Sequence, residues 1–166
     1  MAVIGIMGAM HEELAAVLAS LPDKQRVSVA GRDFWEGHWQ GHAVVVVLSR
    51  IGKVAAATTA TVLLERFQVD TLVFTGVAGA LGQGVRVGDV VVATGFVQHD
   101  MDASPLFARF EVPLYGRASF AADADLSAQL ASAARHVLGD AARHLGAASL
   151  TEFQLTNPQV HQGLLI

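Results

Sequence analysis

The chain has 166 residues, long enough for one domain with a sizeable core. Apolar residues make up 52% of it, against 16% charged, which excludes a disordered polymer. Its net charge is −4 and its 11 Lys and Arg are scattered, so nothing suggests nucleic acid; with no cysteine, disulfides, thiolate metal sites and a cysteine nucleophile are ruled out.

The first element is an apolar run, Ala2–Met7, that reads as a buried strand and leads into "GIMGAMHEEL". A strand, a glycine turn and a helix start make the layout of a phosphate cradle, in which helix N-terminal N–H groups meet an anion. Glu12 and Glu13 nevertheless sit in the first turn of the helix read over Met10–Leu21. Acids there complement the helix dipole. One of them facing the cleft at the strand's carboxyl end would instead repel phosphate, and could hold a hydroxyl or deprotonate a water.

The stretch "RVSVAGRDFWEGHWQGHAVVVVLSR" reads as consecutive strands with turns at Gly31 and Gly41. Val44–Leu48 does not alternate, so it is expected to be covered on both faces. Trp35 and Trp39 fall on one strand face and read as packing. Lys53–Phe67 is a helix rich in Ala and Thr, suited to close packing on a sheet. "DTLVFTGVAGAL" is another buried strand with a glycine-rich turn, and "GVRVGDVVVATGFVQHD" a turn and strand. Neither "TGVAGALGQG" nor "SRIGK" completes a nucleotide-binding glycine pattern. His99, Asp100 and Asp102 in "HDMD" could hold a metal, but one short cluster without a second ligand group reads better as a hydrogen-bonded loop. Residues 103–122 carry Pro105, Pro113 and Gly116 and read as a long loop of the kind that carries function. A helix starts at Asp123 and Asp125, and "VHQGLLI" is a final strand.

Alternation of strands and helices predicts an α/β sheet covered by helices. The N-terminus lacks a basic region, and the longest apolar run is too short to span a bilayer. The expectation is a soluble cytoplasmic protein with no nucleic-acid or membrane partner.

Five stretches, "IGIMGAMHEEL", "SRIGKVAAATTATVLLERF", "FTGVAGAL", "VRVGDVVVA" and "QHDMD", occur in the order and spacing of a known family. Together they resemble the bacterial 5'-methylthioadenosine/S-adenosylhomocysteine nucleosidases of the purine nucleoside phosphorylase and nucleosidase superfamily. The resemblance covers 1–166 as a single domain and is strongest from Ala2 to Asp102. It implies a three-layer α/β/α fold with a central mixed, twisted sheet. It also implies a homodimer that hydrolyses the N-glycosidic bond of adenine nucleosides in methionine salvage, without metal or organic cofactor.

Carried over by position, Glu13 matches the carboxylate that orients and activates water. Met10 matches the residue under the ribose, and Ile51 a wall of the thioalkyl side. Val77, Ala78 and Gly79 match the turn that lines ribose and base. The loop from Ala103 to Pro113 matches one that reaches the partner's site, with Phe107 and Pro113 as its contacts.

Two departures stand out. Val77 replaces a hydroxyl residue common in the family. The family's Ser-Gly-Asp segment, its Met-Glu pair for the ribose hydroxyls and the Asp that protonates adenine are absent before Ile166. The sequence therefore reads as the N-terminal two-thirds or so of a nucleosidase, inactive on its own. The competing readings are a phosphate-dependent phosphorylase, a non-catalytic adenine-nucleoside-binding fragment and a dinucleotide-binding domain; the last is disfavoured by the broken glycine pattern.

Overall fold

A computed structural model of the chain describes residues 2–166, which fall into two compact units divided after Gly79. In the first unit the apolar runs become a five-stranded mixed sheet. Its strands are β1 (Val3–Gly8), β2 (Gln25–Val29), β3 (Arg32–Trp39), β4 (His42–Leu48) and β5 (Thr71–Phe74), in the order β2-β3-β4-β1-β5. β2, β3 and β4 form an antiparallel meander, while β1 runs parallel to both β4 and β5. The meander turns at Gly31 and Gly41, both with positive φ, a backbone state that glycine adopts without a Cβ clash.

Helices α1 (His11–Ala19) and α2 (Lys53–Arg66) cover opposite faces, which makes this unit a three-layer α/β/α sandwich. The run Val44–Val47 shows why it does not alternate. Val44 and Val46 join Leu14 and Leu21 beneath α1, while Val45 and Val47 join Phe34 and Leu63 beneath α2. Trp35 and Trp39 pack on the α1 side. Mixed sheets with flanking helices match the α/β class the sequence predicts.

The second unit holds a three-stranded sheet, β7-β6-β8, from β6 (Val90–Val97), β7 (Ser119–Ala121) and β8 (Val160–Leu165). β8 pairs parallel to β6 and β7 antiparallel to it. The three-residue β7 lies inside the stretch expected to be loop throughout. Its pairing comes from Gly95–Val97 across the sheet, which no local pattern announces.

Helix α3 (Ala124–Gly139) begins where Asp123 accepts the Leu126 N–H at 2.8 Å, and Ser127 Oγ seats it by donating to the Ala93 carbonyl at 3.0 Å. The short helices α4 (Ala141–Leu145) and α5 (Ala147–Glu152) follow. Among the described residues no helix is long and apolar enough to cross a membrane.

Asp89 ties the entrances of β6 and β8 together. Its carboxylate accepts the N–H of Gln159 at 2.8 Å and of Arg86 at 2.9 Å, and meets His161 Nε2 at 2.9 Å. Those bonds, led by Gln159, hold its carboxyl down at about 2. A depressed carboxyl stabilises the fold above its ordinary value of 3.8 and loses that contribution as pH falls toward 2. Asp89→Asn is therefore expected to lower the urea midpoint at pH 6 and to flatten its decline between pH 4 and pH 2. Parallel parent and variant curves across that window would contradict the latch.

Candidate active site

The parallel strands β4, β1 and β5 end side by side at Leu48, Gly8 and Phe74, and the loops after them form the crevice where α/β sheets hold ligands. Backbone bonds fix these loops. The Ser49 N–H donates to the Gly8 carbonyl at 2.8 Å and the Thr75 N–H to the Met7 carbonyl at 2.9 Å. The fully buried Ser49 adds bonds from Oγ to the carbonyls of Gly8, at 3.1 Å, and Arg50, at 2.9 Å.

Glu13 lies at the centre of this end. It is the third residue of α1 and reaches back over the helix start, as an acid at this position of a capping box does. Oε2 accepts the N–H groups of Ala9, at 2.7 Å, and Met10, at 2.9 Å. Oε1 accepts the Val77 N–H at 3.0 Å. The β1–α1 turn is thus an anion cradle already filled by the chain's own carboxylate.

Partial burial pushes the Glu13 carboxyl up, but the bonds from Met10, Val77 and Ala9 outweigh it, and the net shift is downward. Glu13 is therefore ionised at neutral pH. Glu12 is exposed and makes none of these bonds, as expected of successive helical residues pointing about 100° apart.

The arrangement brings Glu13, Met10 and Val77 into direct contact. Val77 has an exposed side chain, and the exposed Ala78 and Gly79 follow it along the same segment. Ile51 follows β4 at the same end of the sheet and is 78% exposed. Phe107 and Pro113 are half-buried residues of the second unit, in the long segment between β6 and β7. Asp102 in that segment accepts both the Oγ, at 2.6 Å, and the N–H, at 3.1 Å, of Ser104, bonds that lower its carboxyl and make it part of a local turn.

Sequence reasoning did not single out Gly76. A Cβ there would stand 3.0 Å from Glu13 Oε1 and 3.0 Å from Phe74 Cε1. Its signal was present in "FTGVAG", where a glycine next to a presumed ligand turn implies close approach. Gly76→Ala should push the carboxylate off the Val77 N–H, since the added methyl group would meet Oε1 at 3.0 Å. A Val77 amide resonance unchanged by the substitution would show that Gly76 is not needed to position Glu13.

The whole chain is also similar to known proteins. The 5'-methylthioadenosine/S-adenosylhomocysteine nucleosidase of Marinomonas sp. (strain MWYL1) is 38% identical over 138 residues, a match covering 82% of this chain and 59% of that one. Its counterpart from Oceanobacillus iheyensis is 44% identical over 101 residues, 61% of this chain and 44% of the other. The matches span about half the length of these curated relatives.

The crystal structure of the nucleosidase from Neisseria meningitidis, in complex with methylthio-immucillin-A, superposes with a TM-score of 0.79 at 32% identity; the match covers 99% of this chain and 63% of that one. The nucleosidase from Colwellia psychrerythraea, in complex with adenine, gives 0.79 at 34%, over 98% and 60%. The family model of the phosphorylase superfamily matches residues 3–166, and the chain belongs to that superfamily.

Proposed function

We propose that the protein hydrolyses the N-glycosidic bond of 5'-methylthioadenosine and S-adenosylhomocysteine, releasing adenine and a thioribose. The observation that carries this reading is the carboxylate of Glu13, ionised and held by three backbone N–H groups in a strand–turn–helix layout that otherwise suits a phosphate.

Glycosidic cleavage passes through an oxocarbenium-like transition state. A fixed carboxylate beneath C1' stabilises that cation and takes the proton from the attacking water as the new C–O bond forms. Adenine departs with the electrons of the broken C–N bond and needs a proton on its ring. The resemblance assigns that proton to an aspartate of the family.

In this reading Met10 packs under the ribose, Ile51 walls the thioalkyl side, and Val77, Ala78 and Gly79 line ribose and base. The protein works as a homodimer in the cytoplasm, without metal or organic cofactor. Phe107 and Pro113 in the 103–113 loop reach the partner's site.

The full-length protein incubated with methylthioadenosine is expected to release adenine and free methylthioribose. Tight binding of the nucleoside with no adenine release would replace the enzyme reading with that of a nucleoside-binding module.

A further inference from the structure

Arg32 opens β3, and the sheet register places it at the same end as Glu13. β3 runs antiparallel to β4, with Phe34 beside Val47, so the start of β3 lies by the end of β4. β4 runs parallel to β1, with Leu48 beside Gly8. From β1 outward, the order at this end is therefore Glu13, then Ile51 after β4, then Arg32 on β3. Two strand spacings, roughly 10 Å, separate the outer pair of strands.

Arg32 is held but not neutralised. Nη2 donates to Thr58 Oγ1 at 3.1 Å and Nη1 to the Ala30 carbonyl at 3.4 Å. Both acceptors are uncharged and occupy only part of the guanidinium's donors. Nε is buried without a hydrogen-bond partner, and no carboxylate pairs with Arg32 among the described residues. A partly buried cation in this state has unmet capacity for an anion.

The surroundings keep it in place. Arg50, at φ +72°, donates from Nη2 to the Gly31 carbonyl at 2.9 Å and so binds the turn carrying Arg32 to the loop carrying Ile51. An open cleft of ≈ 610 Å³ lies between them, lined by Arg32, Ile51, Gly52, Lys53 and Thr58. Gly52, with no side chain, stands at the N-cap of α2 and keeps this end of the cleft open.

We propose that this cleft receives the α-carboxylate of the homocysteine end of S-adenosylhomocysteine, and that Arg32 sets the preference for this nucleoside over methylthioadenosine. The inference rests on the nucleosidase reading above. The two nucleosides share adenine, ribose and the 5' sulfur and differ in what the sulfur carries, a methyl group or an amino acid. With the ribose over β1 and the sulfur beside Ile51, the amino-acid chain continues outward toward β3. Its carboxylate there meets a planar guanidinium that suits two-point recognition.

The test compares kcat/KM for S-adenosylhomocysteine and methylthioadenosine in the full-length protein, its Arg32→Met variant and, as a polar replacement should the first not fold, Arg32→Gln. The ratio of the two values should fall about 10-fold on losing a charge-assisted hydrogen bond. Arg32→Lys, which keeps the charge but not the fork, should fall between parent and Arg32→Met. A parent that cleaves methylthioadenosine, with a ratio unchanged in the variants, rejects the role of Arg32 and leaves the nucleosidase reading standing. A parent that cleaves neither nucleoside ends both.

Discussion

Glu13→Gln is expected to lower the rate of adenine release at least ~10²-fold, the usual consequence of losing a positioned general base. Glutamine keeps the shape of the side chain and the reach of its atoms. Its amide oxygen can still accept the N–H groups of Ala9 and Met10 in place of Oε2. The amide nitrogen then faces the Val77 N–H, donor against donor, where Oε1 accepts at 3.0 Å. The variant loses both the negative charge that steadies the oxocarbenium ion and the tie between the β1–α1 turn and the segment after β5.

Glu12→Gln is the matched control, because Glu12 is exposed and outside this network. Its rate should stay within about twofold of the parent's, as for surface substitutions in general. Rates of methylthioadenosine cleavage by the two variants, measured side by side, check the assignment. Small and equal effects would remove Glu13 from the chemistry.

What the sequence made legible follows from how local each signal was. The unbroken valines of β4 announced burial on both faces, and the structure divides them between two cores. Two acids just inside a strand–turn–helix junction were enough to suggest a phosphate-type loop that carries a base instead, and the resemblance then chose Glu13 over Glu12; that the carboxylate itself fills the cradle is seen only in the structure. Arg32 and Gly76 were not singled out, since their importance depends on strands and loops meeting from separate parts of the chain. The same holds for the Asp89–His161 latch, whose partners are 72 positions apart. β7 was missed because three residues carry no periodicity, and its register is set by β6.

Indifference to phosphate follows most directly from a cradle that supplies its own anion. The N–H groups of Ala9 and Met10, which a bound phosphate would need, are engaged at 2.7 Å and 2.9 Å by Oε2 of an ionised Glu13. At ~4 Å and an effective dielectric near 20, a carboxylate and a phosphate charge repel by about 4 kcal/mol. That disfavours phosphate relative to neutral water by roughly three orders of magnitude. Arg50 is a cation near this turn, and the bond from its Nη2 to the Gly31 carbonyl at 2.9 Å draws it toward the β2–β3 turn.

The deciding measurement is methylthioadenosine cleavage by the full-length protein with and without millimolar phosphate, with the sugar product identified by mass spectrometry. Free methylthioribose formed at the same rate in both conditions is the predicted result. A phosphate-dependent rate yielding methylthioribose 1-phosphate would contradict it and make the protein a phosphorylase.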